Sequence, residues 1–379
     1  MIVKIMKGDK NFRDATKSSL QCSNEVYIYK EVLPYLKKFF TASGANFDAD
    51  FCPRVYFADY KIFPDLGCEK ETILALENLK PLGYRLGPRI DLDENHLRLM
   101  MTHIAPFHAL NFAMRIKKDP MLETLANGLM PFSYLQENGQ EMESYKILFL
   151  IGLERIFNVI ERDENIEKDG KFYERVQKFK NDYYEHPLLL MQSFLKNDDV
   201  FSIILHGDYN RNNILFQYDQ PEGHEDPKNP KMFDFQETRY ATPALDLSFF
   251  MYMNVSPALR PKVWDSLLDL YHVTLINSLI DILKCEKTDE RLKPYSYENF
   301  IDHFKKFAFY GVMMGYHFIP WMACSQEECA MVSKLFENDM QSSELRRLCQ
   351  ICGGDDVDFR ITNTTQHAFD KGYMDIFEK

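Results

Sequence analysis

Apolar residues follow a strand-like pattern near the start of the chain and a helical pattern over most of the rest. Residues 1–6 form a short β-branched run that predicts a strand, and residues 54–58 and 72–76 predict two more. Residues 16–30 carry apolar side chains at helical spacing, so a helix is expected there, disturbed at its end by Pro34. Together these elements predict a small α+β lobe.

From residue 97 onward the pattern is mainly helical. Six helices are predicted, over residues 97–117, 143–162, 171–181, 261–283, 297–318 and 329–341. Three short apolar runs interrupt them, at residues 203–206, 214–218 and 231–235. The last two runs enclose a charged loop rich in proline and glycine, which is typical of a hairpin tip.

A segment rich in proline and glycine, residues 78–88, is the predicted linker between the two parts of the chain. We therefore predict an α+β fold with two lobes. The N-terminal lobe is expected to comprise residues 1–79, and the mainly helical C-terminal lobe residues 80–379.

Composition and charge narrow the class of protein. The chain has 379 residues, of which 45% are apolar, so two lobes are more plausible than one. A net charge of −12 argues against broad nucleic-acid binding and against docking on anionic membranes. Eight scattered cysteines favour a reducing compartment over a disulfide scaffold.

No signal peptide is recognisable at the start of the sequence. The longest apolar run, residues 307–322, is shorter than the roughly 20 residues of a membrane span. That run also contains His317 and Pro320 and is interpreted as a buried helix. We expect a cytoplasmic monomer that binds neither nucleic acid nor membranes.

The strongest chemical signal comes from two short segments, LHGDYNRNNIL and MFDFQE. They place an acid at Asp208, an amide at Asn213 and a second acid at Asp234, each among apolar residues. Phosphoryl transfer from ATP needs one carboxylate for the attacking hydroxyl and two oxygen ligands for Mg²⁺. This motif order is the one that protein-kinase-like folds use. We predict Asp208 as the catalytic base, Asn213 and Asp234 as metal ligands, and His206 as a brace for the loop.

Lys4 and Glu25 are the predicted nucleotide-binding pair. A lysine on a short apolar strand can reach the phosphates of ATP, and a glutamate on the next helix can hold it by an ion pair. Taken alone, the two residues are better explained as an ordinary surface lysine and helix glutamate, and only the presence of Asp208, Asn213 and Asp234 favours the functional interpretation. The backbone of Glu77, Asn78 and Leu79, after the third strand, is the predicted contact for the adenine edge. ATP and Mg²⁺ are the expected cofactors.

Several polar residues keep two interpretations. The acids and amides of the two motif segments could instead cap the ends of strands. Asp246 would either fix the catalytic loop or cap the helix that it opens. Arg211 would either contact the transferred phosphate or be solvated. His206 is expected to form hydrogen bonds rather than to titrate in the reaction.

The cysteines and the apolar stripes also keep two interpretations. Cys349 and Cys352, with Cys324 and Cys329 upstream, are either packed thiols or ligands of a structural zinc ion. The methionines and aromatic residues around residues 249–253 and 309–321 either form core or line a pocket for an apolar substrate.

The segments LHGDYNRNNILFQYD and KMFDFQETRYATPALDLSFFMYMN resemble the ecdysteroid kinase-like family of insects, also called CHK-kinase-like proteins. The segments LALENLKPLGYRLGPR, APFHALNFAM and NEVYIYKEVLPYL are similar too, so the resemblance extends from residue 1 to about residue 334. These proteins are relatives of choline kinases and aminoglycoside phosphotransferases. The resemblance implies a bilobal protein-kinase-like fold and ATP- and Mg²⁺-dependent phosphorylation of a small-molecule hydroxyl. Ecdysteroids, steroid-like compounds or foreign compounds are the expected substrates.

Carried onto this chain, the resemblance gives Asp208 the role of the base and Asn213 and Asp234 the role of metal ligands. It makes Lys4 and Glu25 the phosphate-binding pair. The sequence begins at the lysine strand, so we expect the two earlier strands and their nucleotide-covering loop to be absent, which would weaken water exclusion. Gln236 replaces the glycine of the kinase D-F-G motif, so no switching of that segment is expected.

Two alternative functions stay open. One is a catalytically impaired relative that binds ligands without turnover. The other is a choline- or ethanolamine-type kinase, which would need an acidic and aromatic cage around the ammonium group.

Overall fold

The structure is a computed structural model that describes residues 1–8, 13, 16–63, 68–196, 200–339 and 341–378. Within these ranges the strands are β1 Ile2–Ile5, β2 Val55–Phe63, β3 Cys68–Leu76, β4 Tyr84–Leu86, β5 Ile203–Ile204, β6 Ile214–Gln217, β7 Lys228–Met232 and β8 Tyr240–Ala241. The first three α-helices are α1 Ser18–Tyr27, α2 Leu33–Ser43 and α3 Glu94–Ile116. They are followed by α4 Pro120–Asn127, α5 Glu143–Arg162, α6 Lys171–Tyr183, α7 Pro187–Phe194, α8 Ala244–Asn254, α9 Arg260–Leu283, α10 Tyr297–Phe307, α11 Phe309–Ala323, α12 Gln326–Asn338, α13 Ser343–Ile351 and α14 Gly354–Asp370.

The N-terminal strands form a three-stranded antiparallel sheet in the order β1-β3-β2. Lys4 on β1 lies opposite Leu74 on β3, so the register of this pair sets the position of the lysine. All three predicted strands are confirmed. β2 and β3 are longer than the side-chain pattern predicts because they pair with each other as far as Phe63 and Cys68. Backbone pairing of this kind does not require apolar side chains.

The α-helical pattern is disturbed ahead of Pro34, as predicted, but the helical path does not end there. After α1 the chain makes a π-helical turn, Ile28–Val32, and continues directly into α2. Pro34 lies in the first turn of α2, a position where proline is tolerated. The helical path therefore runs from Ser18 to Ser43.

The chain also forms a second small sheet, to which β4 before α3 and two strands after α7 contribute, and a separate pair of short strands. β4, β6 and β7 form an antiparallel sheet, and β5 pairs with β8. The predicted hairpin is confirmed, with Ile214 opposite Met232 and Leu215 opposite Lys231. This hairpin is important for the site because its strands lead out of and into the two motif segments.

The six predicted helices are present, with one correction. The stretch 297–318 is two helices, α10 and α11, which are separated at Ala308. Five further helices within the described residues, α2, α4, α7, α13 and α14, were not predicted. The α+β class, with small sheets early in the chain and mostly helices after them, is confirmed.

The chain divides into two compact units. Unit 1 comprises Met1–Phe132, Asn197–Asp246 and Pro261–Phe300, and unit 2 comprises Ser133–Lys196, Leu247–Arg260 and Ile301–Lys379. Both motif segments, Lys4 and Glu25 all belong to unit 1. The predicted lobe boundary at residue 79 stays a prediction.

Unit 2 has its own apolar core, and Arg155 is buried within the unit. The guanidinium of Arg155 donates to the carbonyls of Cys349 and Cys352, at 2.9 and 2.8 Å, and pairs with Asp358 at 2.8 Å. The thiols of Cys324, Cys349 and Cys352 are buried beside these groups. In the ranges that the structure describes, no three His, Cys, Asp or Glu side chains are grouped so that they could hold a metal ion.

One described helix, α9, is long and apolar enough to cross a membrane, with a mean hydropathy of 1.3 over its most apolar stretch. Half of that stretch is buried, and core helices of soluble proteins have the same length and composition. This is weak evidence for a membrane span. The apolar run that contains His317 and Pro320 is largely buried in α11.

Candidate active site

Lys4 is held between two carboxylates. Its Nζ lies 2.8 Å from Oε2 of Glu25 on α1 and 2.7 Å from Oδ1 of Asp234, which follows β7. The Glu25 side chain is only 2% exposed, whereas that of Lys4 is 37% exposed. The structure thus brings together three of the predicted site residues. In the sequence, Glu25 lies 21 residues and Asp234 lies 230 residues from Lys4.

The charges in this group shift one another's protonation. Burial acts to lower the pKa of Lys4, but the carboxylates of Glu25 and Asp234 outweigh it and raise that pKa above its ordinary value. Burial raises the pKa of Glu25 to about 7, although the ammonium of Lys4 opposes this rise. A cation is therefore retained at Lys4 over the whole physiological pH range.

Asp208 is the centre of a second hydrogen-bonded group. The side-chain amides of Asn210 and Asn213 each donate to one carboxylate oxygen of Asp208, both at 2.7 Å. Asn213 also donates to the backbone carbonyl of Asp208 at 2.9 Å. Burial, and then the negative charges of Asp234 and Glu237, raise the pKa of the Asp208 carboxyl to about 7. Such a carboxyl can exchange a proton near neutral pH, which suits a general base.

The two motif segments meet through the backbone. The N–H of Phe233, next to Asp234, donates to the carbonyl of Asn213 at 3.0 Å. His206 Nε2 donates to the carbonyl of Phe233 at 3.0 Å, which places its proton on Nε2 and leaves Nδ1 to accept from the N–H of Asp208 at 3.3 Å. Burial lowers the pKa of His206, so this imidazole is neutral. These two hydrogen bonds join His206 to both motif segments.

Asp246 fixes the start of the catalytic loop. Its two carboxylate oxygens accept the backbone N–H groups of His206 and Gly207 at 2.9 and 2.8 Å, and the Asp246 residue is 1% exposed. His108 on α3 also lies 3.2 Å from Asp246. The N–H of Ala244, the first residue of α8, donates to the hydroxyl of Thr242 at 3.2 Å and not to Asp246. Of the two interpretations of Asp246, loop fixation is therefore the one that its contacts support.

Gly207 is a position where no other residue fits. Its φ is +88°, and a Cβ built on it would lie 2.0 Å from the carbonyl oxygen of Glu237. We expect Gly207→Ala to lower the free energy of unfolding by about 3 kcal/mol or more, because strain and a clash with backbone act together. Urea unfolding would measure this change.

Gly139 provides the control for that substitution. It has a similar φ of +79°, but nothing lies within 4 Å of the Cβ position. Gly139→Ala should therefore cost only the roughly 1–2 kcal/mol of the left-handed backbone. Equal losses in the two variants would contradict the close approach of Gly207 to Glu237.

Aromatic side chains hold the segment that carries Asp234. The ring of the next residue, Phe235, lies 5.6 Å from that of Tyr29 at an interplanar angle of 88° and 4.5 Å from the imidazole of His206. Asp234 itself has a left-handed backbone with φ of +65°. Packing of Phe235 on two sides offsets the cost of that backbone conformation.

Polar residues on α1 also bind this segment, and sequence reasoning missed them. The side-chain amide of Asn24 donates to the carbonyls of Gln236 and Thr238 at 3.3 and 2.7 Å. Gln21 donates to the carboxylate of Glu237 at 2.5 Å. These two residues lie three positions apart along one helix, but their partners are over 200 residues away, so no local signal could reveal them.

The predicted adenine contact has free backbone groups. The Glu77 N–H donates to the carbonyl of Arg54 at 2.8 Å, and the Leu79 carbonyl accepts from Leu82 and Tyr84. No hydrogen bond within the described part of the chain uses the Glu77 carbonyl or the Leu79 N–H. One acceptor and one donor, two residues apart, are the groups that an adenine edge needs.

The oxygens available for Mg²⁺ are of the right chemical kind. The amide N–H₂ group of Asn213 donates to Asp208, which leaves the Oδ1 atom of Asn213 as a free acceptor. The carboxylate of Asp234 accepts from Lys4 through Oδ1 only. Mg²⁺ in nucleotide sites prefers one or two protein oxygens and completes its shell with phosphates and water. Asn213 and Asp234 therefore fit such an ion.

Arg211 is 3% exposed, so the interpretation as a solvated surface residue is wrong. Asp208 and Asn213 contact each other, Asp234 contacts Lys4, and Lys4 contacts Glu25. The chemical roles assigned to them from the sequence stay predictions.

Comparison with known proteins identifies the family to which the chain belongs. The model of the ecdysteroid kinase-like family matches residues 1–284. That is well over half of the 379-residue chain, and the chain belongs to this family. No curated protein matches the chain. Among solved structures, an ethanolamine kinase of Plasmodium vivax matches with 14% identity and a TM-score of 0.34, covering 88% of this chain and 72% of its own. A likeness at that level carries no argument about fold or substrate.

Proposed function

We propose that this protein is an ATP- and Mg²⁺-dependent phosphotransferase that phosphorylates a hydroxyl group of a small molecule. The observation that carries the proposal is the site in unit 1, where Lys4 pairs with Glu25 and Asp234 while Asp208 is held by Asn213. These are the groups that phosphoryl transfer needs. Membership of a kinase-like family supports the same class of reaction.

In this proposal the alcohol oxygen of the substrate attacks the γ-phosphorus of ATP, and the bond to the β,γ-bridging oxygen breaks to release ADP. Asp208 orients the alcohol and takes its proton. Lys4, oriented by Glu25, binds the phosphates, and the backbone at Glu77 and Leu79 binds adenine. Mg²⁺, held by Asn213 and Asp234, would neutralise negative charge on the phosphates.

The proposed substrates are ecdysteroids or other steroid-like or foreign alcohols, and the support for this class is the family alone. We also propose that the protein acts as a cytoplasmic monomer without nucleic-acid or membrane partners. The acidic surface, with a net charge of −12, supports the last point.

A screen of steroid and other small alcohols with radiolabelled ATP tests the proposal. We expect a phosphorylated product only with Mg²⁺ or Mn²⁺ present. Asp234→Asn should reduce turnover at least a hundredfold, because it removes a metal-ligand charge and a partner of Lys4. Full turnover in that variant, or the absence of any product with ATP binding intact, would overturn the proposal.

The pH dependence of the reaction follows from Asp208. Its carboxyl has a pKa of about 7 and acts as a base only when ionised. We expect kcat/KM for the alcohol to be constant above that pH and to fall as the pH drops below it, about tenfold per pH unit for one proton. Glu25 has a pKa of about 7 as well, so kcat/KM should fall more steeply below that pH than protonation of one group would give. In Glu25→Gln, the logarithm of kcat/KM should change with pH at a slope of one.

A further inference from the structure

A cavity of about 650 Å³ lies in unit 1, and of the proposed phosphotransfer site it shares the residue Glu77. Its volume lies within the range of small-molecule sites. Apolar and polar groups contribute about equally to its wall, which comes mainly from α2, the segment before β2, and α3. The apolar side chains are those of Leu33, Leu36, Phe51, Pro53, Val55 and Leu110.

The charged residues of this cavity are unbalanced. Lys37 and Arg54 line it, both are exposed, and neither has a carboxylate partner within the described part of the chain. The carboxylate of Asp50 is already paired with Lys231 at 2.6 Å. Glu77 is the other acid in the lining. Two unpaired cations against one acid form a local positive region on a protein whose net charge is −12.

We propose that this cavity binds a small amphiphile that has an apolar body and one anionic group, such as a carboxylate or a sulfonate. The apolar side chains of the wall would take the body, since burial of apolar surface gives roughly 25 cal/mol per Å². Lys37 and Arg54 would take the anion. A neutral molecule with the same apolar body would gain the burial of that body but not the attraction of an anion to Lys37 and Arg54. The proposal does not depend on the phosphotransferase activity.

Titration with 1-anilinonaphthalene-8-sulfonate, a fluorescent apolar anion, tests the site. We expect one saturable site on the full chain. Ala49→Trp places a large ring in the lining and should abolish that binding. The double variant Lys37→Gln with Arg54→Gln should weaken it roughly tenfold, as two exposed ion pairs would.

Lys38→Gln is the matched control, because it removes a charge from the next residue of α2, which does not line the cavity. It should bind the probe like the parent chain. Val55→Phe is a second cavity-filling variant in case Ala49→Trp does not fold, and circular dichroism with thermal unfolding would verify the fold of each variant.

Displacement of the probe identifies the ligand class. Laurate should compete for the cavity at least tenfold better than dodecanol, which has the same chain length and no charge. The proposal is overturned if the probe does not bind, if it binds a folded cavity-filling variant unchanged, or if dodecanol competes as well as laurate.

Discussion

Replacing Asp208 by Asn is expected to reduce turnover roughly a thousandfold, in the range that a positioned general base contributes. An amide cannot accept the proton of the attacking hydroxyl. Asn210 and Asn213 would also donate toward a group that now carries donors itself, so the loop would be slightly disordered. The measurement is kcat/KM with the best alcohol found by the substrate screen, under saturating ATP and Mg²⁺.

Two controls separate chemistry from folding in that experiment. Asn212 lies in the same loop with an exposed side chain, and Asn212→Asp should keep parental turnover. The Asp208→Asn variant should still bind ATP, as measured by the shift of its thermal unfolding, because the base does not hold the nucleotide. Turnover within tenfold of the parent chain would exclude Asp208 as the base.

The raised pKa of Asp208 also separates the proposed function from the interpretation of these residues as turn caps. A capping carboxylate accepts backbone N–H groups, which lower its pKa. Asp208 instead accepts only side-chain amides in the described contacts, and burial with two neighbouring carboxylates raises its pKa to about 7. A carboxyl that is costly to ionise and is held in a fixed orientation fits a functional site better than a cap.

The sequence predicted the parts of this site that local chemistry determines. The order of His206, Asp208, Asn213 and Asp234 along the chain carries the signal, because short strands on either side fix their relative positions. Lys4 and Glu25 had no such signal by themselves, since a lysine on a strand and a glutamate on a helix are common. Only the presence of the other residues, and the family resemblance, made them candidates.

Contacts between distant segments were not predictable in the same way. Asn24 is fully buried and reaches residues 212 and 214 positions later, and nothing near it in the sequence distinguishes it from an exposed helix residue. Its hydrogen bonds join α1 to the segment after Asp234. This supports the expectation, drawn from Gln236, that the segment does not switch as the D-F-G segment of protein kinases does.

The differences between the predicted and the observed secondary structure have physical causes. Proline is poorly tolerated inside a helix but well tolerated in its first turn, and the π-helical turn before α2 puts Pro34 in such a turn. Ala308 separates α10 from α11 although it is a good helix former, so packing decides that boundary and propensity does not. In α14 the apolar residues Val357, Ile361 and Ala368 are buried at helical spacing, a signal that the sequence contained.

Replacing Asp246 by Ala is expected to have the second large effect. It would leave two buried backbone N–H groups, those of His206 and Gly207, without acceptors, at about 1–3 kcal/mol each. His108 would lose its partner as well. We expect the free energy of unfolding to fall by about 3 kcal/mol or more. Turnover of the folded fraction should fall at least tenfold, because the loop that carries Asp208 is no longer fixed.

Thr242→Val distinguishes loop fixation from helix capping. It removes the hydroxyl that accepts the first N–H of α8 but leaves Asp246 in place, so it should cost only about 1 kcal/mol and keep turnover. Urea unfolding and kcat of both variants are the measurements. If Asp246→Ala lost no more stability than Thr242→Val and kept full turnover, Asp246 would be a dispensable residue of the helix start. If the loss of turnover exceeded what the unfolded fraction explains, the Asp246 carboxylate would act on catalysis through the position of the loop.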